Sequence, residues 1–257
     1  PGKIKAVAPQ VVQATIDMYN TIAAELLPTP LKSHYTFNLR DLAKVFQGMS
    51  SLSSDKVETP IQLFRMWCHE CLRVFYDRLI DDTDRKWFMR NMSDKVKEHF
   101  KKDFAREVRG ENETMIYGNF GDPRAAAPVY EEITDHEKLQ SVMKDYLDDF
   151  NAMSKKPMHL VLFMNAIEHV ARISRVINQS YGNALLVGVG GSGRKSLTTL
   201  AVFMAEYELF QVEISKVYGM NEWREDLKKM FRMAGEAGKP TVFLFSDTQI
   251  VKEAFVE

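Results

Sequence analysis

The sequence predicts an α/β protein in which an all-α helical domain precedes part of a P-loop parallel sheet. Up to about residue 106, apolar residues recur at three- and four-residue steps, which is the period of amphipathic helices. After residue 180, short apolar runs alternate with helical segments, as in parallel β-α-β units. A glycine-rich turn separates the first such run from the next helix, which is typical of a phosphate-binding loop.

The first half contains four predicted helices, and each has a recognisable start or end. Pro28 and Pro30 end the first helix, Asn38 is a suitable N-cap for the second, and Thr59-Pro60 begins the third. Asp82 or Thr83 is predicted to cap the fourth. The helices are expected over residues 11–27, 39–49, 61–80 and from the cap at 82 or 83 to about 106.

The second half combines helical and strand patterns. A run of apolar residues without polar alternation, Ala184–Val187, is typical of a strand buried on both faces. Helices are expected over 137–150, 158–179, 196–205 and 222–234, and strands over 184–187, 209–214 and 241–245.

A change in residue composition divides the chain. Residues 110–128 collect glycine, proline and asparagine and are the best linker candidate. We therefore predict an all-α domain over residues 1–120 and the N-terminal part of a P-loop domain over residues 121–257. Because the sequence starts without Met and stops without a closing feature, we expect it to be a piece of a longer protein.

Composition excludes several functions. The 257 residues are 45% hydrophobic and 27% charged, which is enough apolar content to fill a core. Lys and Arg total 34 against 35 Asp and Glu, so no basic excess indicates a nucleic acid partner. No apolar run is long enough to span a membrane. Two cysteines make no disulfide framework, which favours a reducing, cytoplasmic compartment.

The glycine-rich turn carries the main candidate site. Gly188 and Gly193 have the spacing of a Walker A loop, in which backbone N–H groups hold a polyphosphate. Lys and then Ser or Thr normally follow the last glycine, but here Arg194 and Lys195 follow it. The predicted nucleotide-binding residues are Gly188, Gly190, Gly191, Ser192, Gly193, Arg194, Lys195 and Ser196, together with Asp247.

Asp247 ends the apolar run 241–245 two crossovers after the loop, where a Walker B aspartate orients Mg²⁺. Lys195 cannot replace a hydroxyl as a Mg²⁺ ligand because an ammonium has only donors. Ser196 and Asp247 are therefore the candidate metal ligands, and ATP or ADP with or without Mg²⁺ is the predicted cofactor.

The residues after Asp247 bear on activity. Hydrolysis usually needs a base directly after this aspartate, but Thr248 and Gln249 follow it. Neither is a base near neutral pH, although Gln249 is able to hold a water. The sequence thus predicts nucleotide binding with slow or absent hydrolysis.

Alternative interpretations stay open at this stage. The chain is alternatively an active P-loop kinase or ATPase that uses Ser196 and Asp247, or a structural scaffold that has lost its nucleotide. Val129, Tyr130 and Ile133 are weak candidates for an adenine pocket. Cys68 and Cys71 lie in a strong helical pattern, which favours half-buried thiols over a metal site.

Several segments resemble dynein heavy chains, a family of AAA+ motor proteins. ALLVGVGGSGR at 184–194 and FLFSDTQI at 243–250 resemble the fourth AAA+ module of the axonemal branch, where Arg replaces the Walker lysine and Asp-Thr-Gln replaces Asp-Glu. Lys195 departs from the glutamine that is usual there. HYTFNLRDLAKVFQG at 34–48 and WCHECLRVFYDRL at 67–79 resemble the helical lid of the third module.

The resemblance implies a role and partners. It implies a lid followed by half of a hydrolysis-poor regulatory or structural module in a microtubule-based ciliary motor ring. Arg40 would be a sensor-2 arginine for the nucleotide of the preceding module. The implied partners are other AAA+ modules of the same heavy chain, microtubules reached through a stalk outside this chain, and intermediate and light chains. The implied location is the cytoplasmic cytoskeleton of the ciliary or flagellar axoneme.

Overall fold

A computed structural model describes residues 2–53, 56–109, 114–123, 125 and 128–257. The chain divides into two compact units, Pro1–Thr134 and Asp135–Glu257. The first contains α1 (Gly2–Lys5), α2 (Ala8–Glu25), α3 (Leu39–Met49), α4 (Pro60–Val74), α5 (Asp82–Phe100), β1 (Tyr117–Gly118) and β2 (Glu131–Glu132). The second contains α6 (His136–Met153), α7 (Met164–Ile177), α8 (Arg194–Met204), β3 (Glu208–Phe210), α9 (Met220–Phe231) and β4 (Thr241–Phe243).

Two predicted helix starts in the first unit are confirmed by their caps. The Asn38 side chain accepts a hydrogen bond from the backbone N–H of Arg40 at 2.8 Å, and Asp41 accepts one from the N–H of Asn38 at 3.0 Å. At the start of α4, Gln62 accepts from the N–H of Thr59 at 2.9 Å. These reciprocal bonds satisfy amides that the helix itself leaves unpaired.

The cap of α5 was predicted one or two residues too late. Asp81, and neither Asp82 nor Thr83, is the N-cap, and its carboxylate accepts from the N–H of Asp84 at 2.8 Å. Lys32 ion-pairs with both Asp81 and Asp84 at 2.5 Å, so a distant lysine selects the capping aspartate. The helix ends at Phe100, earlier than predicted, because Lys101 adopts a left-handed φ of 55°.

The core of the first unit lies between α2, α4 and α5. Trp67 is fully buried, and its indole N–H donates to the Thr15 hydroxyl at 2.8 Å. Cys68 and Cys71 are completely buried on α4, deeper than the half-buried state predicted from the sequence. Burial raises the pKa of both thiols well above the ordinary value, which keeps them protonated and unreactive.

Part of the segment predicted as a linker packs on the helical unit. Met115, Ile116 and Tyr117 are buried, and β1 pairs with β2 in antiparallel register. Arg65 of α4 holds Glu132 of β2 through its Nε at 3.1 Å, and Tyr117 donates to the same carboxylate at 3.2 Å. Residues 110–113, 124, 126 and 127 of the predicted linker lie outside the described residues.

These contacts join the described residues between 114 and 134 to the helical unit. The sequence assigned residues from 121 onward to the next module, and that assignment stays a prediction.

In the second unit, α6, α7 and α8 pack on one another. Ile167 and Val170 of α7 and Leu200 of α8 are fully buried among them. The predicted helix 158–179 begins only at Met164. Asn151 explains the later start, since its side chain accepts from the N–H of Met158 and donates to the carbonyl of Met158, which holds that residue outside the helix.

The parallel sheet is present in part. Strands β3 and β4 pair in parallel with Leu209 opposite Val242, which confirms the predicted crossover through α9. The predicted buried strand at 184–187 is wrong for this chain: it has no strand partner among the described residues. Leu185 and Val187 are 89% and 86% exposed. A strand becomes buried on both faces only within a sheet that other elements cover, and in the described part of the chain no strand pairs with residues 184–187.

Among the described residues, none of the helices has the length and apolar character that crossing a bilayer requires.

We expect Thr15→Val to destabilise the first unit by about 1–3 kcal/mol, because it leaves the buried Trp67 N–H without an acceptor. Thr21→Val is the matched control, since in the described part of the chain the Thr21 hydroxyl bonds only the carbonyl of Asp17, four residues earlier on the same helix. Hydrogen exchange of α4 amides measures the difference. Equal effects of the two substitutions would contradict the role assigned to the Thr15 hydroxyl.

The Asp81 cap predicts a pH dependence. The hydrogen bond from Lys32, and then that from the Asp84 N–H, hold the pKa of Asp81 below its ordinary value of 3.8. A lowered folded-state pKa contributes stability above the unfolded pKa, and this contribution is lost as pH falls through the folded pKa. In urea titrations between pH 7 and pH 3, Asp81→Asn is expected to flatten the acid loss of stability. Asp82→Asn is the neighbouring control and should retain the wild-type profile.

Candidate functional site

The glycine-rich loop enters α8 through two left-handed glycines. Gly191 and Gly193 have φ angles of 78° and 80°, which a residue with a side chain adopts only with strain. Gly193 precedes α8 directly and supplies no side-chain cap, and its carbonyl accepts from the Leu197 N–H at 2.8 Å. The N–H groups of the first turn are therefore left for an external acceptor, at the positive end of the helix dipole.

Arg194 forms a hydrogen bond back to the start of this loop. Its guanidinium Nη1 donates to the carbonyl of Gly188, six residues earlier, and a Cβ on Gly188 would lie 3.1 Å from that nitrogen. A guanidinium has five N–H donors, so this contact leaves others for phosphate oxygens. The loop thus has a side chain positioned over it that carries a permanent positive charge.

The side-chain hydroxyl groups on the first turns of α8 differ in whether they are available to bind a ligand. Thr198 and Thr199 donate to the carbonyls of Arg194 and Lys195 at 2.8 and 2.9 Å, so both are committed within the helix. Ser196 is half-buried, and within the described chain no hydrogen bond of its hydroxyl is found. Lys195 is exposed and reaches solvent.

Asp247 follows β4 and starts a short 3₁₀ turn, Asp247–Gln249. Its side chain is exposed, and in the described part of the chain no hydrogen bond or ion pair joins it to residues 188–196. Gln249 is committed locally: its Oε1 accepts from the Ser246 N–H at 2.7 Å and its Nε2 donates to the Val212 carbonyl at 2.6 Å. The amide that the sequence offered for holding a water is therefore already bonded at both ends.

Two other groups of predicted residues lie in the first unit. Arg40 is exposed on the first turn of α3, and its backbone N–H completes the Asn38 cap. Tyr130 packs against the helical core with its ring 6.1 Å from that of Tyr117, and the Ile133 N–H donates to the Ile116 carbonyl at 2.8 Å. Val129 is half-buried nearby in sequence. An adenine-binding role for Val129, Tyr130 and Ile133 stays a prediction.

Sequence reasoning missed two features of the site. The contact of Arg194 with the Gly188 carbonyl depends on how the loop folds back, and no spacing rule predicts it. The capture of Gln249 by Val212 joins residues on two different chain segments. Neither left a signal in the sequence, although Ser-x-x-Gln is a recognised capping pattern that predicts the other contact of Gln249, with Ser246.

Comparison with known families agrees with this geometry. A family model described as the P-loop containing dynein motor region D4 matches residues 158–257. A model described as an AAA+ lid domain matches residues 11–110. A helical lid unit and a glycine loop that opens an uncapped helix thus define a protein of the AAA+ P-loop class, which confirms the predicted fold class.

Individual relatives extend over nearly the whole chain. Dynein axonemal heavy chain 1 of Homo sapiens is 51% identical over 96% of this chain. Dynein axonemal heavy chain 6 of Homo sapiens is 45% identical over 100% of it. The Dynein-1-beta heavy chain, flagellar inner arm I1 complex, of Chlamydomonas reinhardtii is 44% identical over 99% of it. The chain spans 6% of the length of each of these relatives.

The chain belongs to the axonemal dynein heavy-chain family, as its sequence motifs predicted. It corresponds to a stretch of the motor region, and a P-loop motor region implies nucleotide binding.

The loop geometry predicts different effects at two glycines. Gly191→Ala is expected to cost about 1–2 kcal/mol in the loop conformation, because φ is 78° there, and to weaken ADP binding correspondingly. Gly235→Ala is the control, since it lies outside the loop, its φ is not positive and an added Cβ meets nothing within 4 Å. Isothermal titration with ADP measures both. Equal affinities for the two variants would refute the left-handed conformation as a requirement for binding.

Proposed function

We propose that this chain holds the phosphates of ATP or ADP with the backbone amides of residues 188–196 and hydrolyses the nucleotide slowly or not at all. The observation that carries the proposal is the uncapped start of α8 behind two left-handed glycines. Such a turn directs consecutive N–H groups at one point, and the helix dipole favours an anion there. Arg194 adds a charge that is able to pair with two phosphate oxygens.

Mg²⁺ would be held by Ser196 and Asp247. The donor types fit, since a hydroxyl and a carboxylate are hard oxygen ligands, and both side chains lack a competing partner in the described chain. Bound Mg²⁺ would neutralise charge on the β- and γ-phosphates. Lys195 stands where a regular Walker A loop has its Ser or Thr and contributes no ligand, so Ser196, one residue later, would have to supply the hydroxyl oxygen.

Weak hydrolysis follows from the residues after β4. Thr248 stands where a glutamate base is usual, and a threonine hydroxyl does not accept a proton near neutral pH. Gln249 is held by Ser246 and Val212, so turning its side chain toward another position would require breaking these bonds. The two residues that directly follow Asp247 thus include no competent base.

A module of this kind acts through binding. We propose that it is the fourth module of a microtubule-based ciliary motor ring, preceded by the third-module lid, and that bound nucleotide favours one state of the ring. Arg40 would serve as sensor 2 for the preceding module's nucleotide, from its exposed position on α3. Partners would be the other AAA+ modules, microtubules reached through the stalk, and intermediate and light chains, in the cytoskeleton of the axoneme.

Nucleotide titration of the 257-residue chain tests the proposal and its alternatives. We expect ADP and ATP to raise the unfolding free energy by about 2.7 kcal/mol at 100 times the dissociation constant. ATP should be recovered uncleaved by chromatography. Stabilisation with turnover at rates on the order of 1–10 s⁻¹ would instead indicate an active P-loop enzyme. Absence of any stabilisation would indicate a scaffold without nucleotide.

Two substitutions of Arg194 separate the effect of its charge on nucleotide binding from the effect of its two-pronged geometry. Arg194→Ala is expected to weaken nucleotide binding about tenfold or more, since it removes a charge-assisted pair. Arg194→Lys should lose less, because the charge remains while the two-pronged geometry is lost. If wild type, Arg194→Lys and Arg194→Ala have the same order of nucleotide affinity in an intact motor, the change in binding belongs to this module.

A further inference from the structure

A cluster of potential metal ligands lies in the first unit, away from the glycine loop in sequence. Asp17 of α2 and Glu98 and His99 of α5 each offer one ligand atom, and these atoms all lie within 4.8 Å of one another. Sequence spacing did not reveal this cluster, because Asp17 is far from the other two residues along the chain and only the packing of α2 on α5 joins them.

His99 and Asp17 meet at ion-pair distance. Nε2 of His99 lies 2.9 Å from Oδ2 of Asp17, in a direction that does not meet hydrogen-bond geometry. A buried imidazole nitrogen and a carboxylate oxygen that approach each other in this way are placed as two ligands of one cation are, because metal ligands direct their lone pairs at the ion and not at each other.

A neighbouring amide orients the carboxylate. Gln13 donates to Oδ1 of Asp17 at 2.9 Å, which leaves Oδ2, the oxygen near His99, for a ligand. Hydrogen bonds of this kind orient the ligands of metal sites. The side chains of Asp17 and His99 are 27% and 12% exposed, so an ion there would be partly shielded from water.

Glu98 is the ligand of the three whose side chain is most free to move. Its carboxylate lies 3.2 Å from Nζ of Lys95 and is 58% exposed. An exposed ion pair of this kind contributes little to stability, so Glu98 is able to exchange Lys95 for a metal ion at small cost. Tetrahedral coordination places ligand atoms about 3.3 Å apart, and rotation of the exposed Glu98 side chain supplies the required approach.

We propose that Asp17, Glu98 and His99 form a divalent metal site, suited to Zn²⁺, that ties the middle of α2 to the last turn of α5. One imidazole nitrogen and two carboxylate oxygens are Zn²⁺ ligands, and water completes the tetrahedron. Mg²⁺ is disfavoured by the nitrogen ligand. The end of α5 carries the negative pole of the helix dipole, which further favours a cation there.

Zinc titration of the metal-free 257-residue chain tests this site. We expect one Zn²⁺ to bind per chain by isothermal titration, with Co²⁺ giving a visible absorption band at the same stoichiometry. Asp17→Asn and His99→Gln should weaken binding at least tenfold. Asp94→Asn, the matched control, removes a carboxylate from an exposed position on α5 and should bind as wild type does.

Two further variants keep the test decisive if those at Asp17 or His99 fold poorly. Glu98→Gln changes an exposed side chain and should also weaken binding, whereas Lys95→Met removes the competing ammonium and should strengthen it. No saturable binding of Zn²⁺ up to about 1 mM would overturn the proposal. So would equal affinities for wild type, Glu98→Gln and Lys95→Met.

Discussion

The unpaired amides at the start of α8 are the constraint on which the functional site depends. A helix leaves its first N–H groups without internal partners, and proteins usually satisfy them with a side-chain cap. Here the N-cap is Gly193, which has no side chain to offer. The glycines before it leave the approach open, since an added Cβ at Gly190 or Gly191 would meet nothing within 4 Å. An anion is the natural partner of such a helix end.

The same region shows how binding is separable from chemistry. Backbone amides hold a phosphate whatever side chains surround them, whereas cleavage needs a base at a defined place. Arg194 preserves the positive charge, but Thr248 and the doubly bonded Gln249 supply no base. Nucleotide bound as proposed would stabilise the protein, and it would influence neighbouring modules only as far as the affinity for nucleotide differs between two states of the ring.

The first unit is organised by polar contacts between residues distant in sequence. Lys32 bridges the two aspartates at the start of α5, and Arg65 holds Glu132 on β2. Asp41, which closes the cap of α3, is also ion-paired with Arg78 at 2.9 Å. These contacts fix where helices start and which segments join the helical core, so they also determine where Arg40 is presented.

The sequence by itself determined the helices with strong periodicity and caps, the glycine loop, and the family. Those features are local: a cap or a Walker spacing is read within a few residues. It placed α3 at its observed bounds and predicted the parallel crossover that ends in β4.

Only the tertiary structure decided the rest, because it depends on which distant groups meet. Asp81 became the cap through Lys32, residues 114–120 joined the core instead of forming a linker, and residues 184–187 stayed unpaired for lack of strand neighbours. The pairing of Gln249 with Val212 and the meeting of Asp17 with His99 likewise join separate segments. No local pattern encodes such encounters, since their free energy arises only once the chain is packed.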